Sequence, residues 1–153
     1  MLTSRGTSPP PYELIALGRG AWGETVVLLR FDGVPRAEVV GAFVVFDPMQ
    51  GVLRPRRVVD VELATVLEPW SAEGTSWGTQ PRLDVPTLAA RIGPSAPVPL
   101  RIDVTRVVQR WAERPSEDHG LALVARGDDP TGAVYTTGLS GEGGPPRLEV
   151  YFR

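Results

Sequence analysis

The chain has 153 residues, of which 42% are hydrophobic and 22% charged, and its formal net charge at pH 7 is −2. This length fits a single globular domain, and the near-neutral charge argues against a nucleic-acid partner, because nucleic-acid binding depends on basic surfaces. The chain has no cysteine, and all sixteen of its basic residues are arginine. Disulfides, thiolate metal sites and mechanisms that need a reactive lysine are therefore excluded.

The first eleven residues are polar and rich in proline, and they predict a flexible lead-in to a domain over residues 12–153. They lack the apolar core of a secretion signal, so we expect no Sec signal in this chain. No run approaches the roughly 18 apolar residues of a membrane-spanning helix. The sequence therefore predicts no membrane span and leaves the localisation open.

Short segments of β-type composition follow along the chain, separated by turns rich in the 17 glycines and 16 prolines. They cover approximately residues 12–17, 24–31, 38–46, 58–67, 98–104, 120–126, 133–137 and 146–152. In the last of them, Leu148, Val150 and Phe152 alternate with polar or amphipathic residues, which is typical of a strand with one face in the core. The series predicts an all-β fold, an antiparallel β-sandwich or jelly roll.

One segment has helical rather than strand periodicity. Four apolar residues fall on a single helical stripe: Val104, Val107, Val108 and Trp111. Asp103 or Thr105 is placed to cap the N-terminus of this helix, and Pro115 follows its end. We expect a short helix over about residues 104–113 that covers one end of the sandwich, with Trp111 in the core.

A Gly-x-Gly-x-x-Gly motif occupies residues 18–23. A dinucleotide-binding motif of this kind opens a helix, but a strand pattern follows here. A kinase glycine-rich loop needs a lysine beyond it, and the chain has none. We interpret the glycines as a β-turn.

Catalytic and metal-binding residues have little support in the sequence. His119 is the only histidine and has no Gly-x-Ser-x-Gly motif beside it, and one histidine without cysteine does not make a usual zinc site. Carboxylates are present, but no spacing singles out a catalytic pair. We therefore predict no enzyme activity and no required cofactor; Ca²⁺ is the metal most compatible with the chain, with Asp128 and Asp129 as candidate ligands.

Aromatic residues are the best candidates for ligand contact, because sugar rings stack on tryptophan and tyrosine. Residues 69–97 form a long connection without regular periodicity, and such loops are often functional. The candidate ligand-binding residues are Trp70, Glu73, Trp77 and Tyr135, with Trp22 as a further aromatic. Packing in the core is the alternative interpretation for each of these rings.

Five blocks stand in a distinctive order along the chain: LLRFD (28–32) with VP and VVGA (34–42), WSAEGTSW (70–77) with Pro81, IDVT with VQRW (102–111), GLAL (120–123), and PRLEV (146–150). This series resembles the DNRLRE domain family, which is also described as a family of carbohydrate-binding modules. Asp118-His119 stands where that family usually has Asn before the Gly, and residues 138–142 only loosely match its Ser-x-Glu turn. The resemblance implies a non-catalytic β-jelly roll of the kind found in extracellular or cell-surface proteins of bacteria.

Two functional hypotheses follow. The first is a non-catalytic module that binds a polysaccharide or cell-surface glycan, with the Trp70 to Trp77 loop as the contact surface. The second is a structural, self-assembling β-sandwich, a homo-oligomer or part of an extracellular matrix or particle, that packs edge to edge or accepts the N-terminal segment of a neighbour.

Overall fold

The computed structural model describes residues 2–3, 14–18, 24–34, 36–49, 55–94, 99–126, 132–139 and 143–153. Within these ranges the chain forms ten strands, one α-helix and two short 3-10 turns. The strands are β1 (Leu2–Thr3), β2 (Leu14–Leu17), β3 (Thr25–Leu29), β4 (Val39–Phe46), β5 (Val59–Thr65), β6 (Thr87–Ile92), β7 (Leu100–Asp103), β8 (Leu121–Arg126), β9 (Ala133–Thr136) and β10 (Arg147–Phe152). The helix α1 (Thr105–Glu113) follows β7, and the 3-10 turns are Trp77–Thr79 and Pro115–Glu117.

The strands form two antiparallel layers. One layer is a five-stranded sheet in the order β1-β3-β8-β5-β6, and the other contains a three-stranded sheet in the order β10-β4-β7. The pair β2-β9 extends the second layer, because Pro48, just after β4, forms a bridge with Tyr135 of β9. This arrangement confirms the predicted all-β, antiparallel sandwich with one short helix; the jelly-roll connectivity stays a prediction.

The main core lies between the two layers. Alternate residues of facing strands supply it, since successive side chains of a strand point to opposite faces of the sheet. From the five-stranded sheet come Val27, Val59, Val61, Leu121 and Leu123, and from the second layer come Ile15, Leu17, Ala42, Val44, Phe46, Leu100 and Ile102. Val59 and Val61 of β5, and Leu100 and Ile102 of β7, alternate with polar residues in the sequence, so period-two patterns identify the inward faces of these two strands.

The helix α1 closes one end of the sandwich. Val108 and Trp111 are buried on its apolar stripe, as the sequence predicted. Two hydrogen bonds tie the helix to β4: Ala42 N donates to Thr105 Oγ1 at 3.0 Å, and Gln109 Nε2 donates to Val39 O at 2.8 Å. The helix is therefore fixed to the second layer by both apolar and polar contacts.

The N-cap residue of this helix is Val104, not the predicted Asp103 or Thr105, and it makes no side-chain cap hydrogen bond. Asp103, one residue earlier, still supports the start of the helix, because its Oδ1 accepts a hydrogen bond from Thr105 N at 2.9 Å. The Thr105 hydrogen bonds lower the pKa of Asp103 from 3.8. We expect Asp103→Ala to lower the free energy of unfolding at pH 7 by about 0.5–2 kcal/mol. Because the folded-state pKa is lowered, the difference between wild type and variant is fully present well above pH 3.8 and is lost as the pH falls through the folded-state pKa. Urea unfolding at pH 7 and pH 3 measures both effects; an equal difference at the two pH values would contradict this role.

All eight predicted strand segments contain a strand, but the structure adds two strands. Leu2 and Thr3, within the predicted lead-in, pair with Val26 and Thr25 of β3. The strand β6 lies inside the connection that was predicted to be irregular, where the alanine-rich segment TLAARI has no clear alternation. Both are edge strands of the five-stranded sheet, and an edge strand with one partner needs less local β-preference than a central strand.

Phe152 also differs from its prediction as a core residue, because its side chain is 57% exposed. A register shift lies between Tyr151 and Phe152 in the pairing of β10 with β4. Leu148 and Val150, before the shift, pack against the main core as expected. The bulge and the end of the sheet therefore leave Phe152 beyond the core.

Candidate functional site

The tryptophans of the predicted contact loop lie on the outer face of the five-stranded sheet. Trp70 and Trp77 are partly buried against a second apolar cluster, formed by Leu2, Val26, Ala64, Val66 and Ala122. The indole Nε1 of Trp70 donates a hydrogen bond to His119 O at 2.7 Å. Both rings therefore have a packing role, and the predicted glycan-contact role applies only to their remaining exposed surfaces.

The connection between β5 and β6 is an ordered cover rather than an open loop. Ser76 N donates to Thr79 Oγ1 at 2.9 Å, and Arg82 Nε donates to Glu68 Oε2 at 3.1 Å. Leu67 N and Arg82 O form a backbone hydrogen bond of 2.9 Å, which closes the connection on itself. Glu73 lies at the exposed tip of this segment.

Tyr135 does not fit its predicted role as a stacking residue. It lies on β9 and is only 5% exposed, with its ring 5.8 Å from that of Phe46 between centroids. Burial raises the pKa of its hydroxyl to about 12. A sugar ring needs an open aromatic face, so the core-packing interpretation applies to Tyr135. Trp22, Asp128 and Asp129 lie outside the described residues.

An exposed aromatic surface is present elsewhere, on the outer face of the three-stranded sheet. The guanidinium carbon of Arg101 lies 3.9 Å from the centroid of the Phe43 ring and 6.0 Å from that of Tyr151. The rings of Phe43 and Tyr151 meet edge to face, with centroids 6.2 Å apart. Tyr151 keeps 50% of its surface exposed, so half of this residue is accessible to a ligand in solvent.

Carboxylates surround this aromatic group. Glu149 Oε2 lies 3.0 Å from Arg101 Nη1, and Glu149 Oε1 lies 3.3 Å from Arg147 Nε. Arg147 also binds Asp47 at 3.1 Å. Hydrogen bonds from Gly144 N and Arg147 lower the pKa of Asp47. We name the six side chains the sheet platform: Asp47, Phe43, Arg101, Arg147, Glu149 and Tyr151.

Strand register assembles the sheet platform. Glu149 of β10 lies opposite Phe43 of β4, and Phe43 lies opposite Asp103 of β7. Residues that lie opposite one another in antiparallel strands share a face, so the outward faces of three strands meet here. Tyr151 lies opposite Gly41, and a Cβ added at Gly41 would lie 3.7 Å from Tyr151 Cδ2, so the glycine lets the tyrosine ring lie close to the backbone of β4.

The sequence patterns indicated only part of this platform. Tyr151, Glu149 and Arg147 were assigned to the wet face of the last strand, and Arg101 to the polar face of its own strand. Their proximity depends on β10 and β7 both pairing with β4 across more than fifty residues, which periodicity does not encode. An aromatic residue on a polar strand face, as at Tyr151, was the available signal.

The comparisons add no relatives. No family model matches the chain, and no curated protein matches it. Among the described residues, no group of three or more His, Asp or Glu side chains is close enough together to hold a metal ion. No helix in the described part of the chain is long and apolar enough to cross a membrane.

Proposed function

We propose that this protein is a non-catalytic carbohydrate-binding module and that the sheet platform contacts the polysaccharide. The observation that carries the proposal is the half-exposed Tyr151 ring beside the ordered pair of Arg101 and Glu149. The resemblance to DNRLRE domains supports the same class of function. The site we propose differs from the tryptophan loop, because there both indoles pack against the sheet.

The chemistry of the platform suits a sugar. The apolar face of a pyranose ring stacks on an aromatic ring, and neighbouring polar groups bind its hydroxyls. Arg101 and Arg147 supply donors, and Glu149 and Asp47 supply acceptors, along the sheet on one side of Tyr151. These groups already hold one another in place through contacts of 3.0–3.3 Å. Because the side chains are ordered before binding, little conformational entropy is lost when a ligand arrives.

The lowered pKa of Asp47 supports binding rather than hydrolysis. Glycosidases need one carboxylic acid with a raised pKa that donates a proton to the leaving group. The pKa of Asp47 is instead lowered by Gly144 N and Arg147. Glu149 forms ion pairs with Arg101 and Arg147. A carboxylate held in this way is placed to accept hydrogen bonds from sugar hydroxyl groups.

Affinity electrophoresis against a panel of neutral and acidic polysaccharides tests this proposal. We expect at least one polysaccharide to retard the wild type, and Tyr151→Ala to weaken the apparent affinity at least about tenfold, which corresponds to about 1.4 kcal/mol. Val85→Ala is the control, because Val85 is an exposed apolar residue in the connection between β5 and β6 and not part of the sheet platform, and the affinity of this variant should equal that of the wild type.

Two results would contradict the proposal. If no polysaccharide of the panel retards the wild type, the carbohydrate-binding function is wrong. If Trp77→Ala abolishes retardation in a folded protein while Tyr151→Ala leaves it unchanged, the function holds but the site lies at the tryptophan loop.

A further inference from the structure

The strand β10 is an edge of the second layer. It pairs with β4 on one side, and no described strand pairs with it on the other. An unprotected edge exposes a row of backbone donors and acceptors that can pair with another strand. The segment from Arg147 to Arg153 contains no proline and no inward-pointing charge, two of the features that block pairing at an edge. Its charged residues lie on the outer face, and its one irregularity is the register shift between Tyr151 and Phe152.

The register identifies which backbone groups face the free edge. Ala42 O accepts a hydrogen bond from Val104 N, so the backbone of Ala42 is directed toward the β7 side. Backbone groups alternate between neighbours along an antiparallel strand, which directs Phe43 toward β10, where it lies opposite Glu149. The N–H and C=O groups of Leu148 and Val150, and by continuation Phe152, are therefore directed away from β4.

A groove of about 380 Å³ runs beside this edge, between β10 and the segment that follows β3. Its apolar lining comes from Phe31, Val34, Leu148 and Val150. Phe152 extends from the same strand with 57% of its surface exposed. The strand therefore carries both an exposed aromatic side chain and part of a groove that can receive one.

We propose that two copies of the chain associate through antiparallel pairing of their β10 strands about a two-fold axis at Tyr151. In this register Phe152 of the second copy lies opposite Val150, on the inward face, where it reaches the groove. Glu149 lies opposite Arg153 of the second copy, so two ion pairs form symmetrically. A register centred on Val150 would instead place Arg147 opposite Arg153, and like charges in that position are destabilising.

The occupant is a second copy because the strand complements itself. One copy presents the aromatic side chain Phe152, the apolar groove that receives it, the acidic Glu149 and the basic Arg153, and a two-fold interface uses each of them twice. Opposite residues that do not exchange backbone hydrogen bonds have Cα atoms about 4.5 Å apart, which brings the two Tyr151 residues together on the outer face. Association therefore joins two sheet platforms into one longer surface.

Sedimentation velocity of the full chain over a range of concentrations tests this inference. We expect the wild type to dimerise reversibly. Phe152→Lys puts a charge into the apolar groove, and we expect it to raise the dissociation constant of the dimer at least about tenfold. Phe152→Pro removes the N–H that faces the free edge without removing one that pairs with β4, and should have an effect at least as large. Phe152→Ala keeps that N–H and should weaken the dimer less than Phe152→Pro does.

Circular dichroism and thermal unfolding confirm that each variant is folded. A wild type that stays monomeric up to millimolar concentration would overturn the inference, as would dimers that Phe152→Lys and Phe152→Pro leave unchanged. Because the readout is particle mass, its outcome is independent of retardation by a polysaccharide. If the protein dimerises but no polysaccharide binds it, the dimer is supported and the function proposed for the sheet platform is wrong. If a polysaccharide binds and the protein stays monomeric, the function is supported and only the dimer is wrong.

Discussion

Trp111→Ala is expected to lower the free energy of unfolding by about 3–5 kcal/mol, the range of large-to-small substitutions at buried aromatic residues. Trp111 is 3% exposed and belongs to the main core, together with Val104 and Val108 of the same stripe. Its loss leaves a cavity under α1, which closes one end of the sandwich. The same indole lines a neighbouring cavity of about 160 Å³, so the site already contains space that the remaining side chains do not fill.

Urea unfolding followed by far-ultraviolet circular dichroism measures this effect without relying on tryptophan fluorescence. Arg106→Ala is the matched control, since Arg106 lies on the exposed face of the same helix, and surface substitutions usually change stability by within about 0.5 kcal/mol. A loss below about 1 kcal/mol for Trp111→Ala would contradict the role of this residue as the anchor of the helix.

The strength of the sequence patterns explains which elements could be predicted. β4, β5, β8 and β10 have a period-two pattern or a continuous apolar run, and Trp111 completes a helical stripe; local residues suffice to identify such elements. β1 and β6 are positioned by their partners, Val26 and Thr25 for β1 and residues 59–63 of β5 for β6. Their own residues have no comparable pattern.

In the candidate site, too, local sequence identifies the residue types, whereas long-range strand pairing decides how they are exposed. Sequence alone identifies aromatic residues but not which face of a ring stays open. Tyr135 and Tyr151 are both strand tyrosines, yet one packs against Phe46 in the core and the other lies half-exposed beside Arg101. The difference arises from which strands pair and in which register. The tryptophan loop likewise becomes a cover of the five-stranded sheet because its partners, Leu2 and Val26 among them, come from distant parts of the chain.

Gly120→Ala is the second substitution with a large expected effect. Gly120 has φ +95°, and a Cβ added there would clash with the backbone oxygen of Leu29. Leu29 pairs with Leu121 at the end of the β3-β8 ladder, and Gly120 O accepts a hydrogen bond from Val66 N at 3.0 Å. Relief of the clash requires a backbone shift where three strands meet, so we expect a loss of about 3–5 kcal/mol.

Two other glycines separate the conformational cost from the clash. Gly33 has φ +81° with no atom within 4 Å of an added Cβ, and Gly78 has neither a positive φ nor a close atom. Gly33→Ala should therefore cost about 1–2 kcal/mol, and Gly78→Ala should be close to neutral. The three values come from the same urea titrations. If Gly120→Ala costs no more than Gly33→Ala, the close approach of Leu29 contributes nothing, and β3 and β8 adjust freely at this end of the sheet.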